Sequence, residues 1–123
     1  MNDYQYYNRN PEKVEISDCV CRAISTATGL NYPATETLLK LSADIYDCDT
    51  LCVCCYRNLL EDILHYDRYN CHFERTVRDI ARAHPNCVVI IRIEGHLTCA
   101  IYGKISDIWD CGNELVDCFW IVN

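Results

Sequence analysis

Cys19 is the residue whose position first points to chemistry. It follows Ser17 and Asp18, both of the type that caps helices, and precedes Val20, Ala23, Ile24 and Ala27 at helical spacing. A thiol in a first helical turn faces the positive end of the helix dipole and backbone N–H groups that have no partner within the helix. Both favour thiolate over thiol, and the same N–H groups hold a developing oxyanion. That chemistry is nucleophilic attack on a carbonyl. The plainer explanation is chance, since the chain holds eleven cysteines. Cys21 competes, but it lies about 200° further round the helix and cannot face the same base.

A nucleophilic thiol needs a base, and histidine is suited because it titrates near neutral pH. His96, after Glu94-Gly95, opens a strand in the other half of the chain. The alternative is a solvated strand-end histidine, and His65, His72 and His84 show that the residue type is not rare here. A third group must orient the imidazole. A hairpin loop over 102–104 pairs Ile101 with Ile105 and sets Asp110 opposite His96, where Cβ atoms lie about 5 Å apart. A loop over 103–104 instead sets Cys111 opposite and leaves Asp107 further along the same face. Asp110 is therefore the expected orienting acid and Asp107 the reserve. Either could equally be a solvated strand carboxylate.

The elements that must position these residues follow from periodicity. A polar, aromatic stretch over 1–17 reads as an extended lead-in with a turn at Asn10-Pro11. Helices are expected over 19–28, ended by Gly29; over 31–46, with Pro33 in the first turn; over 54–66; and over 77–83, capped by Thr76 and stopped before Pro85. Beyond Pro85 the pattern turns β-branched, and strands are expected over 87–93, 96–102, 105–109 and 116–122, with Gly103 at a hairpin. Helices first and an antiparallel meander second give an α+β domain.

The sequence has 123 residues, which suits one domain over 1–123. A net charge of −7 and no basic stripe argue against nucleic-acid binding. The longest charge-free stretches fall far short of the ~20 residues of a spanning helix. The amino-terminal residues lack the basic and apolar regions of an export signal. The cysteines are therefore expected as mostly reduced, buried small side chains in a cytoplasmic protein.

Four blocks carry a resemblance. Ser17-Asp18-Cys19-Val20-Cys21-Arg22-Ala23-Ile24 with Ala27-Thr28-Gly29, Thr76-Val77-Arg78-Asp79-Ile80 with His84-Pro85, Gly95-His96-Leu97-Thr98 with Gly103-Lys104, and Asp107-Ile108-Trp109-Asp110-Cys111-Gly112 resemble a family of short phage and prophage proteins that looks like a minimal papain-like cysteine peptidase. The resemblance runs in order from about Asn10 to Trp120 and is loosest over 31–73. It implies a papain-like α+β fold with helices on an antiparallel sheet, and a triad of Cys19, His96 and Asp110. Bacteriocin-leader peptidases of that fold are similar in carrying an acid before the cysteine, as Asp18 is here. The family pattern places a glutamine about six residues before the cysteine as an oxyanion donor. This chain reads Glu12-Lys13-Val14-Glu15 there, which leaves Lys13 or Asn10 as substitutes, and Gln5 too far upstream.

The activity expected is acyl transfer from a peptide or isopeptide amide in a protein substrate, without cofactor or metal. A second reading is a non-catalytic phage protein that blocks a host factor with a degenerate site. A third is a small zinc protein built on Cys48, Cys52, Cys54 and Cys55, although Cys71-His72 lacks the spacing for a second ligand pair, so packed thiols are the stronger expectation. Arg22 is expected to pair with an acid such as Asp18, and Trp109 and Trp120 to be core or sheet-face aromatics, with Trp109 also shielding the His–Asp contact. A domain of this size is also compatible with a homodimer.

Overall fold

The computed structural model describes residues 3–13 and 18–123. Ser17, expected as a cap, lies outside them. The protein is α+β. The described residues form four helices: α1 (Cys19–Thr28), α2 (Tyr32–Tyr46), α3 (Val53–Asn58), which continues as a π-helical segment (Leu59–Ile63), and α4 (Val77–Ala83). Its strands are β1 (Tyr4–Tyr6), β2 (Arg68–Asn70), β3 (Val88–Ile93), β4 (His96–Ile101), β5 (Lys104–Asp107) and β6 (Val116–Ile121). No helix among the described residues is long and apolar enough to cross a membrane.

Local chemistry sets the helix ends. Gly29 ends α1 in the left-handed region at φ 79° and returns its N–H to Ser25 O, a conformation that costs glycine nothing. Asn31 caps α2 through its side chain. Thr76 and Asp79 form a reciprocal capping box at α4. A Thr76→Ala substitution should therefore cost about 1 kcal/mol in urea unfolding. Asp18 stands at the N-cap position of α1 but makes no cap bond. Its carboxylate is drawn inward instead, as described below.

The sheet runs β1-β5-β4-β3-β6-β2. This departs from the expected meander in two ways. First, β6 crosses over to pair antiparallel with β3 instead of continuing beside β5. Second, the lead-in contributes β1, which pairs parallel with β5, so the sheet is mixed and not wholly antiparallel. β3 lies at the centre with both faces covered, which explains its unbroken apolar run. Val88 and Ile90 join α1, α2 and α3 in one buried cluster with Leu97, Cys99 and Trp120. Val89, Ile91 and Ile93 face a second cluster with Val77 and Ile80 of α4. Helices thus cover both faces.

The β4–β5 hairpin decides the site. Ile101 pairs with Lys104, so its loop is Tyr102-Gly103, with φ of 49° and 82°. Two consecutive positive φ values are the requirement of a type I′ turn. Tyrosine is an unusual occupant of the first position.

Candidate active site

α1 packs across β4 and brings Cys19 to the start of that strand, where His96 lies. The half-buried Cys19 borders one depression together with His96 and Leu97, and its thiol interacts with the His96 ring and the Leu97 backbone N–H. His96 Nε2 lies 2.7 Å from Asp107 Oδ2. Nε2 is thereby taken by the carboxylate, and Nδ1 is the nitrogen left for the thiol. His65, His72 and His84 do not share this arrangement. His84, for example, sits 2.8 Å from Ile80 O and against Phe119.

The expected orienting acid is corrected by this geometry. Asp110 does not meet His96. Its carboxylate accepts from Arg78 at 3.2 Å and from the Gly112 N–H at 3.0 Å. The cause is the turn: with Ile101 opposite Lys104, the count runs on to set Asp107 opposite Thr98. Asp107 is then the diagonal neighbour of His96 on the same face, within reach of a long side chain. Asp107, the reserve, holds the position.

Asp107 is buried and held from several sides. Arg22 donates to Oδ1 at 3.0 Å, and so does the Ile108 N–H at 2.7 Å. Arg22 also bonds Asp18, which accepts further bonds from Asn10 at 3.0 Å and Tyr32 at 2.7 Å. One guanidinium therefore sits between two buried carboxylates at 4–8 % exposure. The expected Arg22–Asp18 pair is present, and its second arm to Asp107 is the feature sequence reasoning missed. The i, i+4 spacing of Asp18 and Arg22 signals the first arm, whereas nothing local signals the second.

These contacts shift the ionisations in a consistent sense. Burial opposes charge on Cys19, yet its bonds from His96 and the Leu97 N–H and the nearby positive charges bring the thiol below its ordinary value. Burial likewise opposes the imidazolium, yet Asp107 and then Cys19 push His96 up to about 9. Asp107 is lowered despite burial, chiefly by His96. Between the two groups, the arrangement favours a thiolate–imidazolium pair near neutral pH. Burial instead pushes Cys21 up to about 12, and its thiol turns toward Tyr32 O.

The Trp109 indole nitrogen lies 3.2 Å from His96 Nε2, with ring centroids 5.3 Å apart. Since Nε2 faces the carboxylate, the indole acts as a cover over the pair, but it stands on the surface at 43 % exposure, whereas Trp120 is the buried core aromatic. The substitute oxyanion donors do not face the sulfur. Lys13 Nζ donates to Asn8 O at 2.9 Å, and the Asn10 amide is spent on Asp18. Gln5 donates to Ser106. The first backbone N–H groups of α1 remain, because among the described residues Arg22 N is the first to bond back, to Asp18 O.

A depression of about 390 Å³ opens over the pair, bordered by Cys19, His96, Leu51, Val53 and Tyr56. A second adjoins it across Val20 and Leu51 and is lined by Tyr32, Glu36 and Lys40. His96, Asp107 and Cys111 also converge closely enough to bind a metal. Arg22 beside Asp107 repels a cation there, and both Asp107 oxygens are already engaged by His96, Arg22 and the Ile108 N–H. Set against known proteins, the chain matches no family model, no curated protein and no solved structure.

Proposed function

We propose that the protein is a papain-like cysteine peptidase or related thiol acyl hydrolase, acting on peptide or isopeptide amides through Cys19, His96 and Asp107. The observation that carries this reading is His96 held between a helix-start sulfur and a buried carboxylate. In the proposed cycle the Cys19 thiolate attacks the substrate carbonyl, and the backbone N–H groups of α1 receive the oxyanion. His96 then gives its proton to the departing amine. It next takes a proton from water, which attacks the thioester and releases Cys19. Asp107 holds Nε2 so that Nδ1 stays on the sulfur. The adjoining depressions along Val20 and Leu51 suit an extended polypeptide. The order of nucleophile on a helix, base on a strand and acid on the next strand supports the papain-like reading.

The test is a limiting dose of iodoacetamide, with the labelled residue located by mass spectrometry. Cys19 should react first and at pH values well below those of an ordinary thiol, and His96→Ala should slow it about 10²-fold or more. Turnover should rise as Cys19 ionises and fall above pH about 9, where His96 loses the proton the leaving group needs. Labelling spread evenly over the cysteines and indifferent to His96→Ala would instead favour the reading of a non-catalytic protein that blocks a host factor.

A further inference from the structure

Outside this site, the described residues hold one other convergence of metal-ligating side chains. The sulfurs of Cys48, Cys52 and Cys54 lie within 4.8 Å of one another. Zinc–sulfur bonds of ≈ 2.3 Å place sulfurs around one tetrahedral ion about 3.8 Å apart, so a small contraction suffices. We propose that Cys48, Cys52 and Cys54 form a three-thiolate Zn²⁺ site on the rim of the Cys19 cleft, with the fourth position open to water. This revises the expectation of packed thiols, and it stands independently of the proposed activity.

Three observations support it. The backbone holds the ligands at a junction of two helices: Cys48 follows the left-handed Asp47 that ends α2, and its N–H returns to Ala43 O at 3.0 Å, while Cys52 caps α3. The sulfurs also receive the hydrogen bonds that metal thiolates use. Cys52 accepts from the Cys55 N–H at 3.4 Å, and Cys54 accepts from the Asn58 side-chain amide at 3.5 Å. Finally, the side chains suit an open site, because Cys54 is exposed, whereas neighbouring Cys55 is fully buried, donates to Leu39 O and takes no part. The spacing of Cys48 and Cys52 already fits one ligand pair; the structure adds Cys54 as the third ligand and leaves Cys55 out.

Each thiol releases its proton to solvent as it binds, so affinity should rise with pH. The ion would also fasten the segment carrying Thr50, Leu51 and Val53, which borders both depressions.

The experiment strips the full chain with a chelator under a phosphine reductant and titrates it with Zn²⁺, using Co²⁺ as an optical probe of thiolate ligation. One ion per chain and a sulfur-to-cobalt charge-transfer band are expected. Cys54→Ser, at an exposed position that folding tolerates, should weaken binding by more than about 100-fold. Asn58→Ala should weaken it about 10-fold, the cost of an outer-shell partner. His96→Ala should leave it unchanged. Absence of stoichiometric uptake, uptake indifferent to Cys54→Ser, or uptake lost in His96→Ala would each overturn the proposal.

Discussion

Asp107→Asn is expected to slow acyl transfer through Cys19 by up to about 10⁴-fold, the loss seen when the orienting acid of a serine-nucleophile triad becomes an amide. The carboxylate accepts from His96 Nε2 on one oxygen and from Arg22 and the Ile108 N–H on the other. An amide satisfies those donors on one side only, so its NH₂ meets either the guanidinium or the imidazole. In the latter case the ring takes the wrong tautomer and turns its proton toward the sulfur. Asp110→Asn should leave the rate within about twofold, because Asp110 serves an exposed pair with Arg78 worth at most ~1 kcal/mol. The measurement is the rate at which an activated ester acylates Cys19 in each variant. A second readout guards against simple unfolding: in Asp107→Asn the upper step near pH 9 should move down toward the ordinary histidine value of 6.5. Equal slowing in both variants would remove Asp107 from its role.

Arg22→Met should produce the largest loss of stability. The substitution keeps the apolar stem and removes the charge, which strands Asp18 and Asp107 without their shared counter-ion. Breaking a buried pair in this way costs about 3–5 kcal/mol, a large share of the 5–15 kcal/mol that holds a typical domain. The pH dependence should change sign as well. In the native protein both carboxylates ionise below the ordinary 3.8. Their contribution is complete above about pH 4 and is lost as pH falls through their depressed values. In Arg22→Met both are pushed upward by burial and mutual repulsion, so the variant should gain stability as pH drops from 7 toward 5. Urea unfolding across that range measures both effects, and adding Asp18→Asn should recover part of the loss.

The legible parts of this molecule were those governed by local chemistry. α1 ends as Gly29 dictates and α4 begins as its Thr76–Asp79 capping box dictates, because each signal acts within one turn of chain. His96 and Cys19 were legible by type and by position on their elements. Asp107 was displaced by Asp110 in the sequence reading for a single reason: Tyr102 adopts φ 49°, which a tyrosine seldom does, and this shifts the hairpin count by one. That adoption is a tertiary effect. Gly103 packs near Pro85 and the end of α4, and the Tyr102 N–H returns to Cys87 O at 2.9 Å, so contacts from outside the hairpin fix its turn. The Arg22–Asp107 bond, the β6 crossover and β1 were hidden likewise, since each joins residues far apart in sequence.

The sheet finishes on both flanks in three-residue strands, β1 and β2. A long bare flank would offer a row of unsatisfied amides to a neighbouring molecule, the usual template for fibrils. Here a second molecule finds room for only a bond or two before the ribbon runs out. Crowding many copies together should therefore leave them dispersed, and if the protein does form pairs, they would be expected to join through side chains and not by extending one continuous ribbon.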